Sequence, residues 1–213
     1  MKQLLLFTLA LLFSLNGLAQ AFEEDAPKTL AGNNFHNGGY GAVMFHGTTF
    51  NGKFLPMAGL RGAWVINRAL GIGLDMQGFI PSEVYRVDVR EGFFRGEQDA
   101  RLAGGYGGLL LEPVIFSNNV VHATFPLSAG AGWAGYLSDF LSDDYFYHHG
   151  EIYDQSTFWY FRPGAAVEIN VASFFRINLG VSYMMATNFE LISTSSNALN
   201  NFQYSLGLKF GGF

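Results

Sequence analysis

The chain contains no cysteine, which excludes a disulfide framework and attachment through a lipidated cysteine. Charge is scarce at 14% of residues, and basic residues are outnumbered, 12 against 17 acidic. A mildly acidic chain of this kind is a poor partner for nucleic acid. Beyond the first residues, no apolar run approaches the roughly 20 residues that a membrane-spanning helix needs. Yet 49% of residues are hydrophobic, 16% are aromatic and 27 are glycine. The apolar content must therefore be distributed over strands.

The one long apolar stretch is at the start, in "MKQLLLFTLALLFSLNGLAQAF". A single early positive charge, Lys2, precedes the apolar run Leu4–Leu15, and small residues follow. The run of about 12 residues is too short to span a bilayer and has the form of a secretory signal peptide cleaved after Ala19. Lys2 is the charged residue of segment 1–19, so cleavage takes the formal charge from −5 to −6. The expected organisation is a signal peptide over 1–19, a periplasmic segment over 20–38 and one domain over 39–213.

Within that domain, successive side chains alternate in character, as they do when they point to opposite faces of a strand. The pattern predicts strands over Met57–Ile66, Leu70–Ile80, Gly105–Ile115, Val121–Tyr136, Phe158–Val171, Phe175–Met185 and from Phe202 to Phe210. An eighth falls at Gly39–Thr48, whose mixed parity leaves its facing open. Connections near 67–69, 117–119 and 172–174 are short. Those over 81–103, 137–156 and 186–200 are long and polar, and the one near 49–54 is brief. Register follows from turn length, because a one-residue slip exchanges the faces. A three-residue turn at Asn67–Ala69 pairs Ile66 with Leu70 and sets Arg61 opposite Asp75. A turn at 172–174 pairs Val171 with Phe175 and leaves Glu168 diagonal to Arg176.

Alternating short and long connections with an even strand number are the pattern of an outer-membrane barrel. Facing is decided by the polar rows, which hold about one charge per strand among Gly, Ser, Asn, Thr and Ala. A water-exposed surface carries roughly 25–35% charged residues, whereas small residues suit the narrow inside of an eight-stranded barrel. The aliphatic rows then face lipid. The expected fold is an all-β, eight-stranded antiparallel up-and-down transmembrane barrel. Trp64, Phe175 and Phe210 at the lower strand ends, and Trp133, Tyr183 and Phe202 at the upper, would form two aromatic girdles.

The signal peptide, the meander, "RGAWVINRALGIGLDMQGF", "GGLLLEPVIF" and the terminal Phe resemble the small outer-membrane barrels of Gram-negative bacteria, such as outer-membrane protein X and the membrane domain of outer-membrane protein A. The resemblance covers 39–213 and implies a bacterial outer-membrane location. It also implies contact with membrane lipid and lipopolysaccharide, and a terminal aromatic, Phe213, read by the barrel-assembly machinery. It implies no single activity, since the group includes adhesins, anchors and lipid-modifying enzymes, and fold does not give function.

The expected lumen charges are Arg61, Asp75, Glu112, Glu168, Arg176 and Lys209 near the periplasmic end, with Arg162 lying high. Charges in a dry interior must pair, so they read as a structural plug; a narrow gated channel or proton path is the alternative. An enzyme needs a nucleophile beside a base. His122 and Ser128 share a row but lie six residues apart, roughly 20 Å along a strand. His46, near the upper rim, has no partner legible in the spacing. In loop 137–156, Asp143, Asp144, His148, His149, Glu151 and Asp154 are candidate cation ligands, though adjacent histidines are a weak metal signal. Tyr145, Phe146, Tyr147 and Tyr153 would offer a contact surface there. Loop 81–103 keeps alternating in "EVYRVDVREGFFRG" and predicts a hairpin above the membrane whose edge could recruit a partner strand. Phe213 has lumen parity unless Gly211-Gly212 bulges, so it is expected past the strand, as a tag separate from the lipid-facing row ending at Phe210. The expected protein is a non-enzymatic monomer without cofactor, an envelope structural or surface-interaction barrel with loops 81–103 and 137–156 available to an extracellular protein. A lipid-modifying enzyme (acyl hydrolase or transferase) and a narrow channel are the alternatives.

Overall fold

Period-two alternation builds strands throughout the computed structural model, which describes residues 36–89, 96–138 and 151–213. The strands are β1 (Asn37–Phe50), β2 (Lys53–Ile66), β3 (Leu70–Phe79), β4 (Val84–Val89), β5 (Gly96–Ile115), β6 (Val121–Thr124), β7 (Leu127–Ser138), β8 (Ile152–Ala172), β9 (Phe175–Tyr183), β10 (Met185–Thr187) and β11 (Phe202–Gly212). They form eight antiparallel staves, because three staves are interrupted. β3 and β4 both pair with β5. β6 and β7 share one register along β5, broken at Phe125-Pro126, where proline offers no N–H to the ladder. β9 and β10 both pair with β8 across a break at Met184. β11 pairs with β1 from Gly39↔Gly212 to Gly47↔Tyr204 and closes the ring. The expected signal peptide and most of the expected periplasmic segment lie outside the described residues. The barrel begins slightly earlier than the alternation suggested, since Asn37 and Gly38 already pair with Ile66 and Val65.

The turns test the register. Ile66 pairs with Leu70 and Arg61 with Asp75, as turn length predicts. Asn67 and Arg68 adopt positive φ of 51° and 56° to make that reversal. The upper β1–β2 connection is tighter than expected: only Asn51 and Gly52 separate the strands, at φ 47° and 75°. Two successive positive values match the right-handed twist of a two-residue hairpin. At the β8–β9 end, Ala172, not Val171, pairs with Phe175, and the register shifts between Asn170 and Ala172. A bulge at Val171 absorbs one residue and shortens the turn to Ser173-Phe174. Glu168 still lies diagonal to Arg176, because it opposes Asn178.

The outer wall is apolar. Leu109 is 72% exposed, Tyr204 68%, Trp159 64% and Leu60 58%, and Leu74, Met76, Val121, Val167, Leu179 and Phe202 are exposed with them. Soluble monomers rarely expose contiguous apolar patches beyond a few hundred Å², so this belt faces lipid. The inward rows carry the charges. In β1 the even row turns in, burying Tyr40, Ala42, Met44, His46, Thr48 and Phe50, which settles the strand whose facing was open.

The interior has two levels, and the charged plug that the sequence predicts fills only one of them. The charges occupy one level. Above them an apolar core joins Phe50, Leu55, Met57, Leu102, Tyr136, Phe158 and Tyr160 to residues from the upper connections. β4 and β5 form the expected hairpin, from Val84↔Arg101 to Val89↔Gly96, and bury Tyr85, Val87 and Val89. The 188–200 connection contributes Phe189, Leu191, Ala198 and Leu199 to the same core. Phe50 packs its ring edge-on against Tyr85 and Phe189, at 5.6 Å and 6.1 Å between centroids. Expelling this apolar surface from the lumen water closes the upper barrel.

Candidate functional site

Seven charged side chains converge inside the barrel, each held by strand register. Asp75 (β3), Glu112 (β5) and Glu168 (β8) are the acids, each about 1% exposed. Arg61 (β2), directly across from Asp75, reaches it at 3.0 Å and Glu112 at 3.4 Å. Lys209 (β11) places Nζ at 2.9 Å from both oxygens of Glu112 and also contacts Glu168. Lys209 stands opposite Arg176, a like-charge pair that would be destabilising alone. Glu168 lies between them and takes Arg176 Nη1 at 3.7 Å. All six sequence-predicted lumen charges thus meet in one network.

Several members were misplaced or missed in the sequence. Arg162 was expected high in the barrel. Instead its guanidinium binds Asp75 and also donates to Ser128 Oγ, Tyr106 Oη and Gln203 Oε1 at 3.2, 2.9 and 3.0 Å. The reason is strand tilt, typically 35–45° in such barrels, so residue count from a turn does not give height. His46 was expected near the rim, yet it is buried with Nδ1 3.3 Å from Arg162 Nη1. His122 Nε2 contacts Glu168 at 3.1 Å, and Asn178 donates to the other Glu168 oxygen at 3.0 Å. Gln77 donates to Asp75 at 2.9 Å, and Tyr40 donates its hydroxyl to Glu112. Row parity places Gln77, Asn178 and Gln203 in the lumen, but an uncharged residue did not announce itself as a partner, and Tyr40 belongs to the strand whose facing the sequence left open.

His122 and Ser128 do not form a catalytic pair: one is engaged with Glu168 and the other with Arg162. No group of three or more His, Cys, Asp or Glu able to hold a metal occurs among the described residues. Of the cation candidates, Asp143, Asp144, His148 and His149 lie outside the described residues, as do Tyr145, Phe146 and Tyr147. Asp154 accepts a hydrogen bond from Ile192 N at 2.7 Å, tying down the 188–200 connection, and Tyr153 packs against the upper core. In that core, burial pushes the Tyr85 hydroxyl up to about 12, with Tyr136 and Glu83 adding to the shift.

Phe213 does not fray. Gly211 and Gly212 stay paired with Tyr40 and Gly39, and the Phe213 ring follows its lumen parity. It stacks on Tyr40 at 5.9 Å, with the Arg176 guanidinium 3.6 Å from its centroid. Phe213 thus lies just past β11, as its parity and the two glycines suggested, and its ring lids the charged level. On the outer wall, Trp64, Tyr183, Phe202 and Phe210 are exposed, and Phe175 and Trp133 are partly so. Phe175 stacks on Phe210 at 4.8 Å, and Tyr183 meets Phe202 edge-on at 5.0 Å. Trp64 and Trp133 donate their indole N–H groups to Asn37 and Gln155 at 3.1 and 3.0 Å.

No family model and no curated protein sequence matches this chain. Solved structures do. Neisserial surface protein A is similar at TM-score 0.55 and 9% identity, over 83% of this chain and 97% of that one. The attachment invasion locus protein of Yersinia pestis is similar at TM-score 0.48 and 15% identity, covering 82% and 97%. The outer membrane protein OprG of Pseudomonas aeruginosa follows at 0.46 and 14%, covering 83% and 94%. At these identities the likeness is one of fold: the chain is an eight-stranded antiparallel barrel of the small bacterial outer-membrane kind.

Proposed function

We propose that this protein is a non-enzymatic barrel of the bacterial outer membrane, delivered by the leader over 1–19, that stabilises the envelope and presents a rigid surface platform to an extracellular partner. One observation carries the reading: the interior is filled at two levels, by paired charges and by an apolar core into which the upper hairpin and the 188–200 connection are tied. A lumen so filled supports a load-bearing scaffold over a conduit. The committed partners of His122 and Ser128 weigh against acyl transfer within the barrel. In this reading the six wall aromatics sit at the two membrane surfaces, where rings with a polar edge are favoured, and loops 81–103 and 137–156 meet the partner. Neisserial surface protein A shares the fold and is by name a surface protein.

The test is deletion of 137–156 in cells, with insertion checked by heat-modified gel mobility. Loss of cell-surface binding or a change in envelope permeability, with the barrel still inserted, is the expected outcome. If neither changes, the platform reading fails. Altered lipid A by mass spectrometry on overproduction would instead favour the lipid-modifying enzyme.

A further inference from the structure

Beside the charge network lies a small, largely enclosed crevice lined by His46, Arg61, Ser128, Arg162, Asn178 and Ser205. Its free space is about 10 Å³, on the scale of a single water or a halide ion. His46, Arg61 and Arg162 are 6%, 5% and 2% exposed.

The hydrogen bonds fix what the crevice wants. Arginine has only donors, so its 3.3 Å contact makes His46 Nδ1 the acceptor. The neutral ring then carries its proton on Nε2, and that atom has no partner among the described residues. Arg61 spends Nη1 and Nη2 on Glu112 and Asp75, leaving its Nε–H unpartnered as well. Ser128 Oγ accepts from Arg162 Nε, and its own proton lies within reach of the Tyr160 hydroxyl. The surplus is one of donors.

Charge points the same way. Arg61, Arg162, Arg176 and Lys209 face Asp75, Glu112 and Glu168. Those seven side chains leave one positive charge in excess, and an uncompensated charge in a dry interior is costly. Water would satisfy the orphaned N–H groups but not the charge; a small anion satisfies both.

We propose that this crevice is a structural site for a monovalent anion of halide size, chloride under natural conditions, bound by His46 Nε2–H and Arg61 Nε–H. It completes the charge balance of the lumen and does not depend on what the loops bind.

The test uses the full refolded chain. Crystals soaked in sodium bromide are examined for anomalous scattering. Thermal unfolding in detergent is followed in sodium bromide and in sodium gluconate at equal ionic strength. An anomalous peak at His46 Nε2 is expected, with a melting temperature that climbs with bromide and follows single-site binding. Ser205→Val, which fills the crevice, should abolish the peak and the halide dependence; Ser182→Val, on the same lining, replaces it if that variant fails to fold. Melting equal in the two salts overturns the proposal: without a peak the crevice holds only water, and with one the halide binds at crystal concentration only.

Discussion

Lys209→Met tests whether the lumen charges act as a paired network. The ammonium bonds both oxygens of Glu112 at 2.9 Å and also contacts Glu168, and it is 1% exposed. Methionine conserves most of the volume, so the loss is electrostatic. Removing one partner of a buried pair costs about 3–5 kcal/mol. Here each stranded carboxylate keeps donors: Arg61 and Tyr40 for Glu112, and His122, Asn178 and Arg176 for Glu168. That places the loss at the lower end, about 3 kcal/mol, or roughly 150-fold in the unfolding equilibrium at tenfold per 1.4 kcal/mol. Urea unfolding of the refolded barrel, read by tryptophan fluorescence and gel mobility, measures it. Arg86→Met is the control, since the Arg86–Asp99 pair is 3.7 Å apart and largely exposed, and such pairs contribute under about 1 kcal/mol. Adding Glu168→Gln to Lys209→Met should recover part of the loss, because it removes a carboxylate that the first change stranded. The network reading is refuted if Lys209→Met costs no more than Arg86→Met, or if the double variant equals the sum of the singles.

Gly73→Ala should destabilise by about 1–3 kcal/mol in the same assay, because its Cβ would stand 1.9 Å from the backbone oxygen of Gly62, which cannot move without parting β2 from β3. Deleting Phe213 should impair insertion in cells more than refolding in detergent, while the refolded barrel still loses about 1 kcal/mol with the ring over Arg176; equal effects would mean that the terminal ring acts through stability alone. In planar bilayers the filled lumen should pass no ionic current, and an open state abolished by Glu112→Ala would contradict it. The upper hairpin should loosen in alkali: the Tyr85 hydroxyl is raised from 10.0 to about 12 in place, so its contribution is intact below pH 10 and fades as pH rises towards 12. Proteolysis of the 84–101 hairpin across that window should increase, and the increase should shrink in Tyr85→Phe.

The strands and two of the registers were legible because alternation has a period of exactly two residues and turn length fixes parity. Ile66 with Leu70 and Arg61 with Asp75 need nothing more. The Val171 bulge was not legible, since no residue type marks it. The upper core escaped notice for another reason. Phe189, Leu191 and Leu199 come from a connection without periodicity, and Tyr85 and Val87 from a hairpin that reads as solvent-exposed. Height inside the barrel was illegible too, because it depends on tilt. That misplaced Arg162 and His46, and it hid the network's neutral members.

The two-level interior means that the chain answers to two solvents. Around the lipid belt it is inside-out relative to a water-soluble protein, with charge at the centre and aliphatics outside. Near the top it turns right side out, with rings within and Arg86 and Asp99 facing water. The reversal falls along β8 between the buried rings of Phe158 and Tyr160 and the buried charge of Arg162. Because the upper level supplies its own cohesion, its outer face is free to change in sequence without drawing on the membrane-embedded level for stability.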